Sequence, residues 1–80
     1  MTDPDDPIKS QRVYDAGTTL CGELALELRA MLREMQPGDV LEVVANDSAA
    51  PQDLPAWCDV TGHALVRATH PHYWIRRKAD

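Results

Sequence analysis

The sequence contains no phenylalanine, and aromatic residues make up only 5% of its 80 residues. Its core must therefore be built mainly from leucine, valine, alanine and methionine. No stretch approaches the roughly 18 apolar residues of a membrane-spanning helix, and the N-terminus lacks the apolar segment of a signal peptide. With two cysteines and no secretion signal, we expect a cytoplasmic protein, not membrane-bound, whose thiols stay reduced.

Positive charge is scarce. The chain has eight lysines and arginines but 13 aspartates and glutamates, which gives it a net charge of −5. Nucleic-acid binding requires a broad basic surface, so we do not expect direct contact with nucleic acid. The charge is unevenly distributed along the chain. Three aspartates lie within the first six positions, whereas positions 76–78 form a basic cluster.

The length of 80 residues predicts one domain, residues 11–80, preceded by a polar tail, residues 1–10, that we expect to be disordered. The predicted elements are strands at 11–16, 39–46, 63–69 and 72–78 and helices at 20–35 and 47–62. The order β-α-β-α-β-β predicts an α+β fold, a two-layer α/β sandwich in which two helices cover one face of a mixed four-stranded sheet. The oligomeric state is not determined by these patterns.

Local signals place the helix ends and the buried faces. Pro37-Gly38 should end the first helix and Gly62 the second, while Ser48 or Asp53 should cap the start of the second helix. In the last strand, alternation favours Tyr73 and Ile75 as the core-facing pair. The apolar stripe of the first helix consists of Leu24, Leu28, Met31 and Met35.

Cys21 is the main candidate for chemistry, because it lies where a loop meets the start of the first helix. Unpaired backbone N–H groups and the helix dipole favour negative charge there, and they lower the pKa of a thiol. Glu23 opposes this effect, since a nearby carboxylate raises a thiol pKa. The alternative is that Cys21 is a small apolar residue packed beneath the loop.

Four segments occur in an order and spacing that resemble one known family. These are DAGTTLCGEL (15–24), EMQPGDVLEVVAND (34–47), DLPAWCDVTGHAL (53–65) and IRRK (75–78). Together they resemble the TusA sulfurtransferase family, in which the cysteine opens the first helix in a Cys-Pro-x-Pro box. The resemblance implies a TusA-like domain over residues 11–80 and a catalytic role for Cys21.

The resemblance also implies a function. Cys21 would accept sulfane sulfur as a persulfide and relay it to a partner, without a metal or organic cofactor. The donor would be a cysteine desulfurase or a rhodanese, and the acceptor a DsrE-type protein leading to tRNA thiolation or sulfur metabolism. The Cys-Pro-x-Pro box reads Cys21-Gly22-Glu23-Leu24 here, with both prolines replaced. This departure favours an alternative, a non-catalytic interaction adaptor that keeps the TusA fold.

The remaining candidate residues allow two interpretations each. Cys58 is either a core thiol or a resolving partner for Cys21. His63, His70 and His72 lack the tight spacing of a structural zinc site, so we expect no metal and assign His63 to anchoring the second helix and the other two to a surface turn. The basic side chains are either a docking patch for a partner protein or a solvated edge that discourages aggregation; they are Arg67, Arg76, Arg77 and Lys78.

Overall fold

The computed structural model describes residues 9–19 and 21–79. Of Cys21 it describes the backbone and not the side chain. Most of the predicted tail, residues 1–10, therefore lies outside the described residues. The elements are β1 (Arg12–Gly17), α1 (Cys21–Glu34), β2 (Val40–Ala45), α2 (Ala50–Thr61), β3 (Ala64–Thr69) and β4 (His72–Arg76). The predicted element order and the α+β fold class are confirmed.

The four strands form one mixed sheet in the order β1-β2-β4-β3. β1 and β2 are parallel, whereas β4 is antiparallel to both of its neighbours. The β1-α1-β2 and β2-α2-β3 connections both advance in the same direction across the sheet. Because such crossovers are right-handed, both helices lie on the same face and leave the other face of the sheet without a helix.

The core lies between the helices and this covered face. The apolar stripe of α1 is buried as predicted, and Leu28 at its centre is 0% exposed. The sheet contributes alternate residues of β2, which point to the same side because side chains alternate along a strand. Tyr73 and Ile75 of β4 are 1% and 0% exposed, which confirms the predicted core face. The other buried sheet residues facing the helices are Ala16, Leu41, Val43 and Ala45.

The helix ends agree with the sequence at their C-terminal sides and differ at the start of α2. Gly38 and Gly62 both have a left-handed φ, near +89° and +88°, the conformation that favours glycine. The predicted caps Ser48 and Asp53 are wrong, because α2 starts one residue after Ala49, which makes no side-chain cap. Backbone bonds replace the cap: the Ala50 N–H donates to the carbonyl of Asp47, and the Ala49 carbonyl accepts two N–H groups from the first turn.

Neither α1 nor α2 has the length and apolar character that a membrane crossing requires, and no other helix occurs in the part of the chain that the structure describes.

Burial within α1 predicts a sharp contrast between two leucines. Leu28→Ala should lower the free energy of unfolding by about 2–5 kcal/mol, because it removes a fully buried side chain and leaves a cavity. Leu26→Ala is the matched control, since Leu26 lies on the same helix but is 69% exposed, and its effect should stay within about 0.5 kcal/mol. Urea unfolding measures both values. Similar losses for the two variants would contradict the assigned helix face.

Candidate functional site

The loop between β1 and α1 positions Cys21 at one edge of the sheet. Gly17 ends β1 with a left-handed φ of 57°, and its N–H donates to the Asp15 carboxylate at 2.9 Å. Its carbonyl accepts the Asn46 N–H at 2.7 Å, while the Thr19 N–H donates to the Ala16 carbonyl at 3.0 Å. These bonds fix the backbone from Asp15 to Thr19, shortly before α1.

Cys21 is the first residue of α1, as the sequence predicted for the start of this helix to within one residue. The backbone N–H groups of a first helical turn have no intrahelical acceptor and provide a favourable site for an anion. Gly22 follows in an ordinary helical conformation, since its φ is not among the positive ones. A Cβ built at Gly22 would meet no atom within 4 Å beyond its chain neighbours and the backbone of its own helix, so the described residues leave open space over Gly22.

A surface groove runs between α1 and α2 from this open position. It consists of two adjoining depressions of about 530 and 350 Å³. Gly22 and Ala25 of α1 and Trp57 and Val60 of α2 line both depressions. The groove therefore starts one residue from the cysteine and follows the seam between the helices.

Large apolar side chains border the groove without being covered. Leu26 is 69% exposed and Val60 is 85% exposed, and each comes from a different helix. Trp57 lines the same depression as both, half-buried against the core. Exposing such side chains together on one seam is typical of a protein interaction surface.

The larger depression is also basic. Arg29 and Arg33 of α1 line it, together with Arg77 and Lys78 from the segment after β4, and its lining includes no acidic residue. The Arg77 Nε donates to the Leu32 carbonyl at 2.6 Å, which ties the C-terminal segment to α1. This chain therefore carries a locally positive surface in spite of its negative net charge.

His63 and Lys78 join the C-terminal segment to α2. The Lys78 Nζ donates to the Thr61 carbonyl at 2.9 Å, and the Lys78 backbone N–H donates to His63 Nδ1 at 3.0 Å. The His63 ring stacks on Trp57 with the ring centres 5.6 Å apart. His63 thus lies at the end of α2 in contact with both the groove wall and the C-terminal segment.

The four basic residues singled out from the sequence are divided between two surfaces. Arg77 and Lys78 line the groove, whereas Arg76 alternates with buried Ile75 and points away from the helices. Arg67 pairs directly with Trp74, the neighbour of Ile75 on the outer side, and so shares that outer face with Arg76. The sequence cluster is therefore not one patch in space.

Cys58 lies in the core beneath α2, where it is 3% exposed and carries a free thiol. Burial, with a smaller contribution from the neighbouring Asp59 carboxylate, raises the pKa of the Cys58 thiol to about 11. Desolvation penalises the charged thiolate, so Cys58 is a protonated, apolar part of the core at neutral pH.

The two remaining histidines make separate contacts near the β3–β4 turn. His70 Nδ1 is 2.6 Å from the Tyr73 hydroxyl, and His72 Nδ1 is 3.2 Å from a Glu42 carboxylate oxygen. His72 also stacks on Trp74 at 6.0 Å. Among the side chains that the structure describes, no three histidine, cysteine, aspartate or glutamate residues are close enough together to hold a metal ion.

Sequence reasoning missed most of the groove. Arg29 and Arg33 were not singled out, because arginines on an amphipathic helix are typical of a solvated face. The available signal was Leu26 and Val60, two large apolar residues that do not fit the buried pattern of their helices. Such misfits indicate an exposed apolar surface only after the two helices are placed side by side.

Fold and site together define a class of protein: a small two-layer α/β domain with a cysteine at a helix N-terminus, beside a groove that is apolar along its length and basic at one end.

Comparison with known proteins identifies the family. The family profile described as Sulfurtransferase TusA matches residues 12–77. The chain is 32% identical over 84 aligned positions to the Sulfur carrier protein TusA of Pseudomonas syringae pv. tomato and 37% identical to that of Pseudomonas paraeruginosa, with both chains covered completely. It is 35% identical to that of Pseudomonas putida over 72 positions, or 85% of this chain and 90% of that protein. The chain belongs to the TusA sulfurtransferase family, as the resemblance predicted.

The buried thiol of Cys58 predicts a loss of stability in alkali. Its pKa is about 11 in the folded protein against 9.0 for the unperturbed group, so the unfolded chain releases this proton first as the pH rises. The resulting contribution to stability is fully present below pH 9 and is lost between pH 9 and about 11.

Urea unfolding over this pH range should therefore show a steeper loss of unfolding free energy for the unaltered chain than for Cys58→Ala. Tyr14, whose pKa is raised by its hydrogen bond to Glu27, is present in both proteins, so its titration cancels in the comparison. Parallel pH profiles would contradict a protonated buried thiol at Cys58.

Proposed function

We propose that this protein is a sulfur carrier: Cys21 accepts a sulfane sulfur as a persulfide and relays it to a partner protein. The observation that carries the proposal is the position of Cys21 as the first residue of α1, next to the open surface over Gly22, in a chain of the TusA family. The relatives are named Sulfur carrier protein TusA, which describes the same role.

The proposed step exchanges one sulfur atom without net oxidation. The Cys21 thiolate attacks the terminal sulfur of a donor persulfide, so the bond from Cys21 to that sulfur forms as the donor's own S–S bond breaks. The donor cysteine leaves as a thiolate, and Cys21 becomes the persulfide. In the second step an acceptor thiolate attacks the terminal sulfur on Cys21 and releases the Cys21 thiolate. No metal or organic cofactor enters either step.

The start of α1 supports both charged forms of this cysteine. The thiolate and the persulfide are anions, and the first-turn N–H groups and the helix dipole stabilise negative charge. Gly22 contributes in a different way, because its missing side chain leaves room for a partner's backbone to approach the sulfur. The same glycine adds backbone freedom where the family proline restricts it.

The groove beside Cys21 is the proposed docking surface. Exposed Leu26 and Val60 offer apolar contact area, and Arg77 and Lys78 add positive charge at its far end. The partners that fit this role are a cysteine desulfurase or rhodanese as donor and a DsrE-type protein as acceptor, in the cytoplasm, leading to tRNA thiolation or another sulfur pathway. Arg67 and Arg76, on the outer face, would serve a partner that binds on the opposite side.

Sulfur loading tests the central claim. Reduced protein is incubated with a cysteine desulfurase and cysteine, or with a rhodanese and thiosulfate, and its intact mass is measured. We expect the unaltered chain and Cys58→Ala to gain one sulfur atom and Cys21→Ser to gain none, because Cys58 is buried and Cys21 provides the attacking thiolate. Equal loading of Cys21→Ser would refute the assignment.

A chain that stays unloaded with both donors, while still folded, would favour the adaptor alternative. Alkylation of Cys21 by iodoacetamide as a function of pH then separates the two functions, because the carrier requires a thiol pKa below that of free cysteine. A normal or raised pKa would remove the physical basis for persulfide transfer at this position.

Docking in the groove predicts a second, independent effect. The double variant Leu26→Ser/Val60→Ser should bind the sulfur donor roughly tenfold more weakly, a loss of about 1.4 kcal/mol, because it removes apolar contact from both helices. The control Val13→Ser/Val66→Ser changes two exposed valines of the sheet and should leave the affinity unchanged. Calorimetry measures both. A larger loss for the control would place the donor on the sheet instead.

A further inference from the structure

The outer face of the sheet, which neither α1 nor α2 covers, carries charge of opposite sign on its two halves. Asp15 of β1 and Glu42 of β2 alternate with buried residues of their strands, so they point away from the helices. Arg76 of β4 and Arg67 of β3 lie on the same outer side. Because the strand order is β1-β2-β4-β3, both carboxylates lie on one half of this face and both guanidinium groups on the other.

The other charged groups near the strands do not alter this division. Arg12 of β1 points towards α1, where it pairs with Glu34 at 3.4 Å, and Lys9 precedes β1 and belongs to no strand. His72 of β4 contacts the Glu42 carboxylate through Nδ1 at 3.2 Å. The strands thus give the outer face two carboxylates and two guanidinium groups, so the excess negative charge of this chain lies on its other surfaces.

One row of four side chains crosses the middle of the outer face. In the strand register Val13 is level with Glu42, Glu42 with Trp74, and Trp74 with Arg67. Val13 is 60% exposed, and Trp74 is half-buried. Within the described part of the chain, the indole N–H of Trp74 has no hydrogen-bond acceptor. A surface that matches this row must offer apolar contact, an acceptor for the indole and charges in the reverse order.

A second copy of the same face meets these requirements. Sheets that pack face to face lie about 10 Å apart with their strands within about 30° of each other. A two-fold axis parallel to the strands places β1 over β3 of the second copy and β2 over β4, so each acidic half lies over a basic half. An axis across the strands would place β1 over β1 and bring like charges together. Charge complementarity therefore selects the axis parallel to the strands.

The middle row of one copy then lies over the reversed row of the other. Glu42 lies over Trp74 of the second copy, and a small turn of that ring lets its N–H donate to the carboxylate. Arg67 of the second copy is only one strand spacing to the side of Glu42, about 4.8 Å, and its aliphatic stem lies over exposed Val13. Because the axis repeats every contact, each of these pairs occurs twice.

We propose that the outer face is a self-association surface, on which two copies of this chain pack sheet against sheet about a two-fold axis parallel to the strands. Four strands about 4.8 Å apart and about 17 Å long cover roughly 300 Å². Each partner of a stable interface buries about 800 Å², so this dimer is weak and depends on concentration. The groove lies on the other side of each copy and stays accessible. Association is independent of sulfur transfer, and its test measures no transfer.

Sedimentation of the full chain at increasing concentration, up to about 1 mM, tests the association. A reductant is present, so that Cys21 forms no disulfide between copies. The fraction of dimer should rise with concentration, and a chain that stays monomeric throughout would overturn the proposal. In spectra of ¹⁵N-labelled protein over the same range, the indole signal of Trp74 should shift while that of Trp57, in the groove, should not. The reverse pattern would place the contact in the groove.

Two charge-reversed variants locate the interface. Glu42→Arg and Arg67→Glu should each associate about tenfold more weakly than the unaltered chain, because like charges then meet twice across the axis. An equimolar mixture of the two variants should recover the dimer. In the mixed pair the two reversed side chains face each other with opposite charge, and the second contact is the natural one.

Asp59→Arg is the matched control, since Asp59 is exposed on α2 and lies on the helix side of the sheet. It changes the net charge by the same amount as Glu42→Arg. A smaller net negative charge by itself reduces repulsion between copies, so Asp59→Arg should associate at least as strongly as the unaltered chain. Equal association of Glu42→Arg and Asp59→Arg would overturn the proposal. So would a mixture that associates no better than its two components, provided that amide spectra show both to be folded.

Discussion

The placement of both helices on one face of the sheet is the constraint on which the rest of this structure depends. It follows from two right-handed crossovers that advance in the same direction, with β4 inserted between β2 and β3. Two helices side by side on a four-stranded sheet leave a seam, and this seam is the groove. If the second crossover reversed direction, α2 would cover the other face, and neither the groove nor its relation to Cys21 would exist.

Packing along that seam explains how a strongly acidic chain presents a basic surface. Leu28 and its neighbours on the stripe of α1 turn towards the sheet, which rotates Arg29 and Arg33 towards α2 and the C-terminal segment. Arg77 and Lys78 hydrogen-bond to carbonyl groups of the two helices, so they stabilise the fold while adding charge to the groove. Structural and electrostatic roles therefore coincide in the same side chains.

Position 22 directly follows the cysteine and carries glycine, where the resemblance led us to expect the first proline of a Cys-Pro-x-Pro box. A proline restricts the backbone, but it also covers the surface beside the cysteine. Glycine has neither effect, and among the described residues outside its own helical turn no atom lies within 4 Å of a Cβ built there. α1 begins at Cys21 with no proline in its first turn, while the turn before it is held by Gly17 and its hydrogen bonds to Asp15 and Asn46. Cys21 therefore opens α1 beside a residue that has no side chain.

Much of the fold could be predicted from the sequence, because period-3.6 and period-2 patterns directly record which side chains are buried. Three features could be predicted in this way: the buried stripe of α1, the core face of Tyr73 and Ile75, and the glycines at 38 and 62 that follow the helix ends. The start of α2 could not be predicted, since backbone bonds from Ala49 and Asp47 replaced the expected side-chain cap.

The candidate site divides in the same way. Cys21 at a helix start, with the family to which the chain belongs, was determined by the sequence alone, because a helix boundary is a local property. Only the tertiary structure decided that Arg77 and Lys78 join Arg29 and Arg33 while Arg67 and Arg76 lie on the opposite face, and that Leu26 and Val60 border one groove. These relations depend on how elements that are distant in sequence pack together, and no local pattern of residues records that packing.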